Sequence, residues 1–147
     1  MKKLICFSGR SLFQPLKAVL TLGSIEGSVR YLKTSSYKGK EIEVIENLKR
    51  MFSLDTITIV HSRDWRERFI AKVLKKYYNS KTKVTLYELD EYSEESIKKV
   101  FDKIPDGIAA VCAEESYGIM ISYIAGFLKY PLVINNKDGI KILQNRR

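Results

Sequence analysis

The stretch that most constrains the fold is Gly107-Ile108-Ala109-Ala110-Val111-Cys112-Ala113-Glu114-Glu115-Ser116-Tyr117-Gly118-Ile119-Met120. An apolar run too short to cross a bilayer stops at two acids, and a Ser-Tyr-Gly turn leads into a second apolar segment with helical spacing. This pattern reads as a buried strand feeding a helix. In an α/β sheet such a corner turns helix-start amides toward whatever lies beyond the strand's carboxyl end, where phosphate and carboxylate groups collect.

The same unit recurs along the chain. Lys3 to Ser8 reads as a first strand, Gly9-Arg10-Ser11 as a turn, and Leu12, Pro15, Leu16, Val19, Leu20 and Leu22 as the stripe of a helix that Gly23 stops. Val29-Arg30-Tyr31-Leu32-Lys33 and Glu41-Ile42-Glu43-Val44 alternate as the two arms of a hairpin-like excursion around Tyr37-Lys38-Gly39-Lys40. Val44, Ile45, Leu48, Met51 and Phe52 then predict a helix from about Glu43 to Phe52. Thr56-Ile57-Thr58-Ile59-Val60 is a β-branched strand ending in His61-Ser62-Arg63-Asp64. An amphipathic helix with a basic outer side follows from Trp65 to Tyr78.

Lys83 to Leu89 is another strand, and Ser93 with Glu94 and Glu95 starts the next helix. Beyond Gly118 the helix through Ile119, Ile121, Ile124, Ala125 and Leu128 is apolar on most of its circumference, which implies burial against the sheet and against a second subunit. Pro131 to Ile134 is a last core strand, and Ile140 to Leu143 can return beside it as a hairpin. Strands alternating with helices predict an α/β, Rossmann-like sandwich with a mostly parallel central sheet plus antiparallel hairpin additions.

At 147 residues the chain reads as a single domain, residues 1–147. With 45% hydrophobic and 29% charged residues and only three prolines, it has the composition of a globular protein. No run approaches the length of a membrane span, and Ser8-Gly9-Arg10-Ser11 interrupts the apolar start before it can serve as a signal peptide, so a cytoplasmic location with no membrane partner is expected. Cys6 and Cys112 fall inside apolar strands and read as packed, reduced thiols. With one histidine they form no zinc ligand set, and no metal or cofactor is expected. A net charge of +9 favours a polyanionic partner, either nucleic acid or an anionic nucleotide.

The strand ends bring together the candidate chemistry. Arg10 and Arg63 can pair with phosphates, Ser11, Ser62 and Ser116 can donate hydrogen bonds, and Tyr117 or Trp65 can stack on a base. His61 reads either as a hydrogen-bonded strand-end residue or as a general acid or base. Glu114 and Glu115 argue partly against a phosphate site, because carboxylates repel a phosphate unless a metal or arginine intervenes; the plainer reading has one of them cap the helix start at Ser116 and the other face solvent. The G-x-G-x-x-G fingerprint, the phosphate loop of triphosphatases and the nucleophile elbow are missing from the sequence.

Laid out this way, the chain resembles the CRISPR-associated Rossmann-fold (CARF) domains, sensors of cyclic oligoadenylate. The likeness rests on Phe7-Ser8-Gly9-Arg10-Ser11 after the first strand, on the excursion with Tyr37-Lys38-Gly39-Lys40, and on Val111 to Phe127 in the place of the family's second ligand motif. That motif usually carries Thr, Gly and a basic residue, where this chain has Glu114-Glu115-Ser116-Tyr117-Gly118. The resemblance implies a homodimer holding a cyclic oligoadenylate, or a similar anionic nucleotide, across its two-fold axis. It implies ligand contacts from Ser8, Gly9, Phe13, His61, Ser62, Glu114, Ser116, Tyr117 and Gly118, with Arg10, Ser11 and Arg63 as catalytic residues. With no effector module before the end at Arg147, a stand-alone domain is expected. It would cleave the messenger without metal, as ring nucleases do, or sequester it. The alternative is a nucleic-acid or protein interaction module, without enzymatic activity, that uses the basic helix 65–78.

Overall fold

The computed structural model describes residues 2–7, 23–36, 40–78, 82–112, 116–136 and 139–143. Among the described residues six strands form one sheet in the order β3-β2-β1-β4-β5-β6. They are β1 (Lys2–Phe7), β2 (Leu54–His61), β3 (Lys83–Glu88), β4 (Gly107–Cys112), β5 (Leu132–Asn136) and β6 (Gly139–Leu143). The first five run parallel, and β6 pairs antiparallel with β5, with Ile134 opposite Lys141.

Alternate residues of each central strand enter different cores, as the two-residue period of a strand requires. Leu4, Cys6, Ile57, Ile59, Ile108 and Ala110 face one layer. That layer is built from α1 (Ile25–Thr34), α2 (Lys40–Phe52) and α3 (Trp65–Tyr77), through Val29, Leu32, Ile42, Ile45, Leu48, Ile70, Val73 and Leu74. Ile5, Phe7, Ala109 and Val111 face the other layer, made by α4 (Glu94–Lys103) and α5 (Ser116–Phe127) through Ile97, Val100, Phe101, Ile121, Ile124 and Ala125. Burying each Leu or Ile contributes about 1.5–3 kcal/mol. Strands apolar on both faces are therefore committed to the middle of a three-layer sandwich.

The expected hairpin across residues 29–44 is overturned. Both of its arms are helical, in α1 and at the start of α2. Ser24 caps α1 by accepting the Gly27 amide at 3.0 Å, and Val29 and Leu32, three residues apart, are the buried pair on its inner face. Ile42, Ile45 and Leu48 repeat that spacing in α2 and are wholly buried. Four alternating residues match a strand and a helix equally well, and the longer stripe decides. The helix expected at 12–22 and the turn at Tyr37-Lys38-Gly39 lie outside the described residues. Among the described residues no helix is long and apolar enough to cross a membrane.

Candidate functional site

The parallel strands β1, β2, β3 and β4 end along one edge, at Phe7, His61, Glu88 and Cys112. From β1 the chain builds outward through β2 to β3 on one side, and through β4 to β5 on the other. The strand order therefore reverses between β1 and β4. At such a switch the connections leave in opposite directions and open a crevice beyond the strand ends. Its wall at β1 is rigid: Phe7 is buried and meets Phe101 edge-on, with ring centroids 5.7 Å apart.

Of the site residues read from the sequence, Ser8, Gly9, Arg10, Ser11, Phe13 and Glu114 lie outside the described residues. Ser116 opens α5, Tyr117 and Gly118 occupy its first turn, and that turn carries no acidic residue. Gly118 is buried, and its carbonyl accepts the Ser122 hydroxyl at 2.7 Å. Tyr117 is exposed and stacks on Tyr92, with ring centroids 4.4 Å apart and planes 18° from parallel. Tyr92 was not anticipated as part of the site; the only local signal is an aromatic residue next to the helix cap Ser93.

His61, Ser62 and Arg63 share the end of β2, one strand beyond β1 from the switch. His61 is 5% exposed, and its Nδ1 lies 2.8 Å from the Ser62 carbonyl, so that nitrogen carries the proton. Ser62 is engaged by buried Glu67, whose carboxylate accepts the Ser62 amide at 3.1 Å and its hydroxyl at 2.8 Å. The Ser62 hydroxyl also accepts the Asp64 amide at 3.2 Å. Arg63 donates to Asp90 at 2.6 Å. These contacts stiffen the corner and occupy groups that the sequence offered to a ligand.

Next to them, Arg68 on α3 reaches both carboxylate oxygens of Glu88 at the end of β3, at 2.5 and 2.9 Å. The hydrogen-bonded guanidinium holds the Glu88 carboxyl below its ordinary range, and the Glu88 carboxylate raises Arg68 in turn. Asp64 caps α3 by accepting the Arg66 amide at 2.8 Å. Partial burial pushes its carboxyl upward, but the hydrogen bonds and charge of Arg66 outweigh this and leave it lowered. Trp65 is exposed, with the Arg66 guanidinium 5.9 Å from its ring centroid.

Away from this corner, a cavity of about 690 Å³ opens between the start of α1 and the outer side of α3. Ile25 and Phe69 supply apolar lining, with Lys72, Lys75, Lys76 and Glu26 around them. Lys76 and Glu26 pair at 3.3 Å. Among the described residues no group of three or more His, Cys, Asp or Glu side chains is placed to hold a metal ion.

No protein-family model matches this sequence, and no curated protein is significantly similar to it. Among solved structures, the chain is similar to Can2 from Sulfobacillus thermosulfidooxidans in complex with cyclic tetra-adenylate, with a TM-score of 0.52. It shares the fold of the part of Can2 that it matches. The match covers 98% of this chain at 9% sequence identity, so the likeness lies in the path of the backbone and not in the side chains. The chain spans 37% of the length of Can2.

Proposed function

We propose that the chain binds a cyclic oligoadenylate, or a similar anionic nucleotide, at the carboxyl edge of its sheet and across the axis of a homodimer. The observation that carries this reading is the fold likeness over 98% of the chain to a protein solved with cyclic tetra-adenylate. The switch between β1 and β4 supports it, because a parallel sheet takes its ligands there. In this reading Ser8, Gly9, Arg10, Ser11 and Phe13 approach the ring from β1. Glu114, Ser116, Tyr117 and Gly118 approach it from β4, where the first amides of α5 face the phosphates.

The second subunit packs on α5. Ile119, Tyr123 and Phe127 lie four residues apart along that helix and are 72%, 71% and 72% exposed. Such a stripe suits the apolar centre of an interface. Pairing two copies of α5 with the two-fold axis passing near their first turns brings those turns to one shared pocket.

Bound there, the ring is either sequestered or cleaved as in a metal-independent ring nuclease. In cleavage a ribose 2′-hydroxyl gives up its proton and its oxygen attacks the adjacent phosphorus, the bond from phosphorus to the 5′-oxygen breaks, that oxygen takes up a proton, and the product carries a 2′,3′-cyclic phosphate. The chain's part is to hold the attacking and leaving oxygens in line and to stabilise charge on the phosphate with Arg10 and Ser11. Arg63 joins them only where the phosphate displaces Asp90 from its guanidinium. Incubating the purified chain with labelled cyclic tetra- and hexa-adenylate in EDTA tests this reading. Retention of the ring or a linear product supports it, and neither retention nor product overturns it.

A second reading, an interaction module on the basic helix, is favoured by the lysine-rimmed cavity between α1 and α3. Charge reversal at Lys72 and Lys76 separates the two. It abolishes partner capture in the second reading and leaves oligoadenylate affinity intact in the first.

A further inference from the structure

We infer that Tyr92 and Tyr117 together form a stacking platform for a purine base, with Tyr92 as the residue that positions the Tyr117 ring. This rests on the proposed nucleotide site and narrows its ligand to one that presents a purine. The two residues are 25 positions apart in sequence. Tyr92 lies immediately before the cap of α4, and Tyr117 lies in the first turn of α5. The stack joins two helix starts at the ligand-facing edge of the sheet.

The pair is built to hold its place. Ser93 and Ser96 close a capping box, with the Ser93 amide donating to Ser96 Oγ at 3.0 Å and the Ser96 amide to Ser93 Oγ at 3.2 Å. The Ser96 hydroxyl also donates to the Glu91 carbonyl at 2.7 Å, which fixes the backbone on both sides of Tyr92. The Tyr92 ring is half-buried and packs against the core cluster of α4 and α5. It presents a flat, anchored surface to Tyr117, which remains 43% exposed.

A ring held in a near-parallel stack on one face loses little further freedom when a base lies on its other face. That preorganisation suits base recognition. Every base has a π-face, and the two-ring purines present the larger one, so such a platform favours adenine or guanine over uracil. The phosphates on the ribose of that nucleotide have the first amides of α5, which helix geometry leaves unbonded, as the nearest ready donors on the same helix start.

The test measures the affinity of the full chain and of Tyr117→Leu, Tyr117→Phe, Tyr92→Leu and Tyr92→Phe for cyclic tetra-adenylate and cyclic tetra-uridylate, with thermal melts confirming folding. Both leucine variants are expected to weaken the adenine ring about tenfold or more while changing the uracil ring less, and both phenylalanine variants to keep wild-type preference. Leucine variants that bind the adenine ring as well as the wild type overturn the inference, and so do variants that lose both rings equally. A wild-type chain that binds neither ring overturns the proposed function itself. Because Tyr117 is exposed, Tyr117→Leu keeps the test decisive if Tyr92→Leu fails to fold.

Discussion

Glu67 holds Ser62 by two hydrogen bonds, accepting its amide at 3.1 Å and its hydroxyl at 2.8 Å from a buried position in the first turn of α3. The bond ties the end of β2 to the helix that follows it and sets the path of the corner carrying His61 and Arg63. Replacing Glu67 by Ala removes two hydrogen bonds between the half-buried Ser62 and a buried carboxylate, and a hydrogen bond to a charged group contributes about 1.5–3 kcal/mol. Glu67→Ala is expected to lower unfolding stability by about 2–3 kcal/mol in a denaturant titration, and Ser62→Ala by about 1 kcal/mol. Wild-type stability in Glu67→Ala would mean that the corner does not depend on this contact.

Arg68 and Glu88 predict a response to pH. The hydrogen-bonded guanidinium lowers the Glu88 carboxyl from its ordinary value of 4.5. A depressed folded-state value means that the pair's contribution is present above the unfolded value and disappears as pH falls through the folded one. Both side chains are solvent-accessible, so water and salt weaken the effect. In Arg68→Gln, a carboxyl titration followed by NMR should move Glu88 up toward its ordinary value. An unmoved Glu88 would assign the depression to another source.

The layering of the fold was legible because its strands are dense in β-branched and aliphatic residues. Thr56 to Val60 lies within β2, and Gly107 to Cys112 is β4 in full. The segment 29–44 misled because short alternation also fits a helix; the Ser24 cap and the Val29/Leu32 spacing were the better signals. At the candidate site, the strand-end position of His61 and the helix-start position of Tyr117 followed from chain order. Two relationships did not. Glu67, flanked by Arg66 and Arg68, reads as a solvated acid until the turn folds Ser62 back onto it. The Tyr92 stack depends on α4 and α5 packing side by side, which no local window encodes.

Gly107 opens β4 where no side chain fits. A Cβ there would strike the Tyr130 hydroxyl and come within 3.1 Å of Ile104 Cγ2 and 3.2 Å of the Lys3 carbonyl oxygen. Tyr130 donates its hydroxyl to the Ile104 carbonyl and is fully buried, so it cannot yield without breaking that bond. Gly107→Ala is expected to destabilise the chain by about 1–3 kcal/mol, read as a lowered midpoint in thermal or chemical unfolding. An unchanged midpoint would show that this crossing has room to relax.

The exposed stripe on α5 predicts assembly. In sedimentation velocity the wild-type chain is expected to run as a dimer, and Tyr123→Glu or Ile119→Glu as a folded monomer, because each places a charge at the apolar centre of the interface. Glutamate variants that remain dimeric would move the interface elsewhere.

The central claim, one anionic ring shared between two subunits, is tested most directly by isothermal titration of the full chain with cyclic tetra-adenylate at several salt concentrations. The account predicts saturable binding at one ring per two chains, with affinity falling as salt rises. Absence of binding at every salt concentration would contradict it.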